Sequence, residues 1–264
     1  MDEPLILAVE TSSRVGSVAL ARGSALLTES TFSAPLQHSA EVFPAISQLL
    51  NRFHVVPGDI AQVHIAAGPG SFTGLRIAAT MAKAMHLANA TAIVTVDSLD
   101  VIVANIGDAS SAPALQDSCG VLLDRIATVL DAKRGEFYAA VYQRVRRTEP
   151  TDQTAPAGDT GYLIPAPQEH IWRKIIPDCL ITADELVGRF GTEAPLGVLG
   201  DGLLYHRDKF IADNVCILNE RYWSPRASNV HRLGHQKARA GLFADPLTLT
   251  PFYLRGPLVT LKKS

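Results

Sequence analysis

The chain has 264 residues, 47% of them hydrophobic, which is enough to bury the core of one large domain or of two small lobes. A formal net charge of −2 gives it no overall attraction for nucleic acid, so the composition excludes RNA binding driven by global charge. The sequence contains no apolar run of about 18 residues, so it predicts no membrane span.

The N-terminal part of the chain predicts strands first and a helix afterwards. Residues 5–11 and 15–21 have the pattern of a hairpin, and residues 25–32 predict a third strand. Residues 39–53 place apolar side chains at three- and four-residue spacings, which indicates a helix with one buried face. Residues 63–67 then predict a strand that leads into a glycine-rich loop.

This glycine loop, residues 68–76, reads GPGSFTGLR and joins the strand to an alanine-rich helix at residues 72–88. Glycines permit a sharp turn with exposed backbone, and Ser71 or Thr73 can cap the helix. Free amides at such a helix start can cradle a phosphate, but an ordinary strand-to-helix turn has the same pattern. A candidate nucleotide site combines the loop with the first hairpin turn and comprises Glu10, Thr11, Ser12, Gly68, Gly70 and Ser71.

A second sheet is predicted further along the chain. Before it, residues 92–96 predict the last strand of the first lobe, and Asp97 or Ser98 caps a helix that extends to about residue 105. Residues 106–120 are rich in small and polar residues and predict a linker or insert. Two apolar strands follow, at residues 121–132 and 136–142, so the second sheet begins with a hairpin as the first does.

The C-terminal part has weaker patterns. Residues 144–161 predict a mobile surface loop, and Thr182 with Glu185 forms a capping-box pattern at the start of a short helix. Residues 196–202 predict a strand that runs into a glycine turn. Residues 225–242 predict a last helix with a basic face, which we expect to be solvated.

The three cysteines bear on the cellular compartment. Cys119, Cys179 and Cys216 are widely spaced and form no CxxC pair. This spacing favours unpaired thiols over a disulfide framework or a zinc site, so we expect a reducing, cytoplasmic location and no metal.

Several of these motifs together resemble the bacterial TsaB family, also called YeaZ, of tRNA threonylcarbamoyladenosine biosynthesis proteins. They are ILAVETS at residues 6–12, the glycine loop, LDAKRGEFY at residues 130–138, and the terminal Tyr-Leu-Arg at residues 253–255. Their order and spacing match the family across the first lobe and into the second. Residues 106–120 and 143–181 are longer than is usual in the family.

The resemblance implies an α/β fold of the actin-like, ribonuclease-H-like (ASKHA) type, with two lobes and a reduced second lobe. We expect lobe boundaries at residues 1–106 and 107–264. The related catalytic protein TsaD carries a metal-binding histidine pair on the helix that corresponds to residues 97–105, and this segment contains no histidine here. The resemblance therefore implies a non-catalytic subunit, without a cofactor of its own, that pairs with a TsaD-type catalytic subunit.

The family pairs through its first two helices, here residues 39–53 and 72–88. The residues expected at this interface are Ile46, Ala78, Met81, Ala82 and Met85, because small and flexible side chains let helices approach closely. The resemblance also implies a TsaE-type ATPase as a further partner, tRNA contact only through the complex, and ATP or ADP bound at a shared interface. A homodimer is expected when the partner is absent.

Two other interpretations fit parts of the sequence. An independent actin-like ATPase or small-molecule kinase would use Glu10 and Asp131 as the carboxylates of the two lobes, together with the glycine loop. A peptidase would need Ser71 as nucleophile and His38 as base, but neither a G-x-S-x-G elbow nor an HExxH motif is present.

Overall fold

The computed structural model describes residues 3–33, 38–107, 120, 123–146, 164–165 and 170–255. A five-stranded sheet in the N-terminal part has the strand order β3-β2-β1-β4-β5. Its strands are β1 (Leu5–Glu10), β2 (Ser17–Arg22), β3 (Ala25–Thr31), β4 (Gln62–Gly68) and β5 (Ala92–Asp97). The first three strands pair antiparallel as the predicted meander, whereas β1, β4 and β5 pair parallel across helical crossovers.

Helices cover both faces of this sheet, which explains why every residue of β1 is buried. The helices of this part are α1 (His38–Arg52), α2 (Phe72–Asn89) and α3 (Ser98–Gly107). Leu7 and Val9 point into a core shared with α1 and α2, while Ala8 between them joins the core on the opposite face. The alternation of strand side chains therefore fixes which helix packs on which face.

A second sheet has the strand order β11-β10-β6-β7-β9-β8. Its strands are β6 (Arg125–Asp131), β7 (Glu136–Arg146), β8 (Ile164–Pro165), β9 (His170–Thr182), β10 (Leu196–Leu199) and β11 (Val215–Ile217). The helices of this half are α4 (Ala183–Phe190), α5 (Leu203–His206) and α6 (Ala227–Arg239). β6 and β7 form the predicted hairpin, and Thr182 and Glu185 form the predicted capping box of α4. The α/β fold with two related sheets is confirmed.

Strand β9 was not predicted from the sequence. Pro177 interrupts its pattern, and its register with β7 shifts near Val141, so the alternation that marks a strand is broken. The predicted linker and the predicted mobile loop lie mostly outside the described residues. Only residues 106–107, at the end of α3, residue 120, and residues 144–146, at the end of β7, are described.

The expectation that the last helix has a solvated basic face holds for Arg226 and Arg239, which are exposed, and is wrong for His231, Arg232 and Lys237. α6 packs across the first sheet, where His231 is buried with its Nε2 2.8 Å from the carbonyl oxygen of Gly23. Lys237 donates to the carbonyl oxygen of Thr95 at 2.7 Å, and Arg232 donates to that of Ala104 at 2.6 Å. Basic side chains here satisfy backbone acceptors of the N-terminal half.

The expectation of three unpaired thiols is correct for Cys179 and wrong for Cys216. Cys216 is disulfide-bonded, whereas Cys179 is a free thiol. Cys119 lies outside the described residues. Among the helices that the structure describes, none is long and apolar enough to cross a bilayer.

A buried charge cluster joins the two sheets. Lys174 Nζ on β9 lies 2.9 Å from Asp97 Oδ2, 2.8 Å from Asp100 Oδ1 and 2.7 Å from Asp178 Oδ1. Tyr142 on β7 donates its hydroxyl to Asp100 at 2.8 Å. Burial, reinforced by Asp97, raises the pKa of Asp178 to about 9, while Lys174 acts in the opposite direction. Residues of both halves of the chain therefore share one charge network.

Candidate functional site

The glycine loop packs directly onto the turn that follows β1. Ser71 donates its backbone N–H to the carbonyl oxygen of Ser12 at 2.7 Å, and Thr11 donates its hydroxyl to the carbonyl oxygen of Gly74 at 2.8 Å. A Cβ atom at Gly70 would overlap the carbonyl oxygen of Ser12, and one at Gly74 would overlap that of Thr11. The loop needs glycine at both positions because two backbone segments touch there.

Ser71, one of the two predicted caps, is the N-cap of α2 and accepts a hydrogen bond from the N–H of Gly74 at 3.4 Å. Gly68 is covered from the other side, since a Cβ there would overlap the carbonyl oxygen of Phe252. The loop atoms proposed as a phosphate cradle thus contact the chain itself. The nucleotide role of Gly68, Gly70 and Ser71 stays a prediction, and the geometry assigns them to the placement of α2.

Two buried carboxyl groups lie beside the loop, one from each half of the chain. Glu10 Oε1 accepts hydrogen bonds from the Ser12 N–H at 2.5 Å and from the Ser12 hydroxyl at 2.6 Å, and burial raises the pKa of Glu10 to about 7. Asp201 accepts from the N–H of Arg14 at 3.1 Å, and burial raises its pKa to about 6. Within the described part of the chain, Glu10 Oε2 has no hydrogen-bond partner. The structure thus brings Glu10, Thr11 and Ser12 together with the glycine loop.

Asp131, the second carboxylate of the kinase interpretation, lies on the β6–β7 hairpin. It pairs with Lys133 Nζ at 2.6 Å and accepts from the Lys133 N–H at 2.7 Å. Burial alone would raise the pKa of Asp131, but these hydrogen bonds outweigh burial and lower this pKa. Its carboxylate is therefore engaged within its own turn, and nothing in its geometry favours phosphoryl transfer.

The peptidase interpretation gains no support from the geometry. His38 is buried, and its Nε2 lies 2.8 Å from the carbonyl oxygen of Ser13. Ser71 uses its hydroxyl oxygen to cap α2. In the described ranges, no group of three or more His, Cys, Asp and Glu residues is arranged to hold a metal ion.

An apolar groove of about 680 Å³ runs along the outer face of α2, beside α1. Two of its aromatic side chains are unusually open, Phe43 at 55% and Phe72 at 42% exposure. Its walls are formed by Phe43, Pro57, Phe72, Thr73, Arg76, Ile77, Thr80, Met81, Ala84, Met85, Ala88 and Asn89. Open apolar side chains gathered along one helix face mark a candidate docking face.

The predicted interface residues divide between this groove and the core. Met81 and Met85 line the groove, and Ile46 on α1 is half-buried next to the same core. Ala78 and Ala82 are fully buried against the sheet, so the structure corrects their assignment to the interface. Gly74, Ala78 and Ala82 are spaced by four residues, so they lie on one face of α2. The contact between Gly74 and Thr11 turns this face toward the end of β1.

Sequence reasoning missed the other members of the docking face, of which Ile77 is half-buried and the rest are exposed. Ile77, Thr80, Ala84 and Ala88 recur at three- and four-residue spacings along α2 and all line the groove. Their periodicity was available in the sequence. The sequence did not show which face of α2 is turned toward solvent, because that depends on the contact between Gly74 and Thr11.

Comparison with known proteins places these features in a family context. Residues 33–159 match a family model described as TsaD, tRNA N6-adenosine threonylcarbamoyltransferase. The chain is 28% identical over 255 residues to the tRNA threonylcarbamoyladenosine biosynthesis protein TsaB of Bacillus subtilis, covering 95% of this chain and 93% of that protein. It is 27% identical over 139 residues to TsaB of Escherichia coli K12, covering 53% of this chain and 55% of that protein.

Solved structures show the same fold. YeaZ from Pseudomonas aeruginosa superimposes with a TM-score of 0.67 at 19% identity, covering 95% of this chain and all of that one (100%). A second Pseudomonas aeruginosa structure, described as an uncharacterized protein with similarity to peptidase YEAZ, gives a TM-score of 0.68 at 20% identity, with 96% and 100% coverage. At this identity the likeness concerns the two-lobed fold alone.

Proposed function

The chain belongs to the TsaB (YeaZ) family, and from that premise we propose that it takes part in forming N6-threonylcarbamoyladenosine in tRNA. Its proposed role is that of a non-catalytic subunit, which pairs with a TsaD-type catalytic subunit and activates it. The observation that carries this proposal is the apolar groove along α2, with Phe43 and Phe72 open to solvent at its walls. Covering such a surface stabilises a complex because apolar area leaves water.

The packing of the glycine loop supports a role in docking rather than in chemistry. Its contacts with Thr11 and Ser12 fix the start and direction of α2. A rigid helix presents its side chains to a partner without a large ordering cost. We propose that the loop evolved into a support for the docking helix, and that the subunit needs no cofactor of its own.

The wider complex follows from the same proposal. A TsaE-type ATPase acts with the pair, tRNA is contacted through the complex, and ATP or ADP binds at an interface with the partner. The lobe boundaries at residues 1–106 and 107–264 belong to the proposal too, with α6 of the second lobe packed on the first sheet. We place this complex in the cytoplasm. In the absence of the catalytic subunit, the open groove is expected to drive self-association.

Size-exclusion chromatography with light scattering tests the pairing. The chain is mixed with the catalytic subunit of the same organism at about 10 µM, above the dissociation constant expected of a stable interface. A single peak with the summed mass of one copy of each subunit supports the proposal. Two separate peaks at that concentration would contradict it.

A further inference from the structure

The β6–β7 hairpin ends in an exposed basic turn. Lys133 and Arg134 are both exposed there, and both have a left-handed backbone conformation, with φ of 65° and 58°. Asparagine or glycine adopts this conformation at lower cost than a residue with a long side chain does. The fold alone therefore does not account for two basic residues at this turn.

A third cation lies against the same turn. The ring of Phe137 in β7 is roughly perpendicular to those of His206 and Phe210, with ring centres 5.6 Å and 4.9 Å away. These contacts hold α5 and the residues that follow it beside the hairpin. Lys209 is exposed, and its Nζ lies 3.6 Å from the position that a Cβ atom of Gly135 would occupy.

Two of these three cations lack a counter-ion. Within the described part of the chain, neither Arg134 nor Lys209 makes an ion pair or a side-chain hydrogen bond. Lys133 differs, because its Nζ pairs with Asp131 at 2.6 Å. Asp208 is the neighbour of Lys209 in the chain but does not pair with it. Two free positive charges thus meet at one turn of a chain whose net charge is −2.

An open aromatic ring lies on the same segment as Lys209. Tyr205 on α5 is 63% exposed, and the guanidinium carbon of Arg14 lies 4.8 Å from its ring centre. The backbone of Arg14 is itself fixed, since its N–H donates to Asp201 at 3.1 Å. Arg14 therefore supports one face of the ring and leaves the other face open for stacking.

Free cations beside an open aromatic ring match the chemistry of single-stranded RNA. Arginine and lysine neutralise backbone phosphates, and an aromatic side chain stacks on a base that has left its own stack. An acidic protein would satisfy the two charges but would not need the open ring. Two cations bind RNA weakly, so we expect the contact only where other subunits of the complex also hold the RNA.

Resting on the proposed function, we propose that the surface formed by Arg134, Lys209 and Tyr205 contacts tRNA directly within the complex. Arg134 and Lys209 bind backbone phosphates, and Tyr205 stacks on an unpaired base. This surface belongs to the hairpin of the second sheet and to α5 with the residues after it, whereas the docking groove runs along α2. The tRNA and the catalytic subunit therefore use different surfaces of the chain.

The test measures binding of an unmodified transcript of a substrate tRNA to the complex of the chain with the catalytic subunit. Fluorescence anisotropy at several salt concentrations gives the Kd and its salt dependence. We expect Arg134→Gln/Lys209→Gln to raise the Kd at least about tenfold at about 0.1 M salt, and to lower the slope of log Kd against log salt by about 1.5.

Arg221→Gln/Arg239→Gln is the matched control. Arg221 and Arg239 are exposed and lie outside the hairpin and α5, so this variant removes the same charge elsewhere. We expect it to bind tRNA as the unsubstituted chain does. Tyr205→Leu should raise the Kd about fivefold or more and leave the salt slope unchanged, because stacking involves no charge.

Unchanged Kd and slope for Arg134→Gln/Lys209→Gln, in a complex that forms normally by light scattering, would contradict this inference alone. An equal loss of tRNA binding in the control variant would contradict it too, since the effect would then not be local. Normal tRNA binding with loss of the ATPase would assign the surface to a protein and also overturn the inference. No pairing of the unsubstituted chain with the catalytic subunit would contradict the proposed function and the inference with it.

Discussion

Gly74 shows how a single hydrogen atom in place of a side chain sets the geometry of the docking face. It lies in the first turn of α2, where a Cβ would overlap the carbonyl oxygen of Thr11. Since both contacting groups belong to buried backbone, the overlap cannot be relieved by a side-chain rotation. The start of α2 and the end of β1 would have to separate.

We predict that Gly74→Ala lowers the free energy of unfolding by about 1–3 kcal/mol, measured by urea denaturation. Gly188→Ala is the matched control, because Gly188 lies in α4 and a Cβ there has no atom within 4 Å. Alanine favours a helix over glycine, so the control should gain up to about 1 kcal/mol. Equal stability of the two variants would show that the loop contact does not constrain α2.

The elements of the first sheet could be predicted because each one carries a local signal. The hairpin of β1 and β2, the cap at Ser71 and the boundaries of α2 follow from alternation, glycine and capping residues. Strand β9 and the packing of α6 could not be predicted in the same way. They depend on partners that are distant in the chain, such as β7 for β9 and Gly23 for His231.

The face of α2 that is open for docking differs from the face predicted from the sequence. We predict that Ala84→Arg abolishes pairing with the catalytic subunit while leaving the thermal stability of the chain unchanged, since Ala84 is exposed in the groove. Leu87→Arg is the control, because Leu87 is 82% exposed and lies outside the groove. Light scattering of mixed samples measures both variants. Normal pairing by Ala84→Arg would move the interface away from this face.

Ala82→Arg is expected to behave differently from Ala84→Arg. Ala82 has no exposed surface, and a buried, unpaired guanidinium destabilises the fold itself. A loss of pairing by this variant would therefore carry no information on the interface.

At the scale of the whole molecule, Lys174 joins the two sheets through three carboxylates. Burial alone would lower the pKa of Lys174, but the carboxylates raise it above its usual range, so the ammonium stays charged. Its side chain is 8% exposed, as against 76% for Lys133 in its pair with Asp131. The ion pairs of Lys174 are therefore shielded from water, whereas the ion pair of Lys133 with Asp131 is open to solvent on the lysine side.

Lys174→Met leaves the acidic cluster without its cation, and we predict a loss of about 3–5 kcal/mol in the free energy of unfolding. Lys133→Met removes an exposed pair and should change this free energy by at most about 1 kcal/mol. Urea denaturation of both variants at pH 7 gives the comparison. A small effect of Lys174→Met would mean that the cluster does not hold the two halves together.

The central claim is that this chain activates a TsaD-type subunit without performing the chemistry. It is tested most directly by measuring N6-threonylcarbamoyladenosine formation on tRNA with the catalytic subunit and the ATPase, in the presence and absence of the chain. We predict product only when the chain is present, and product lost with Ala84→Arg but retained with Leu87→Arg. Equal product formation without the chain would contradict the account.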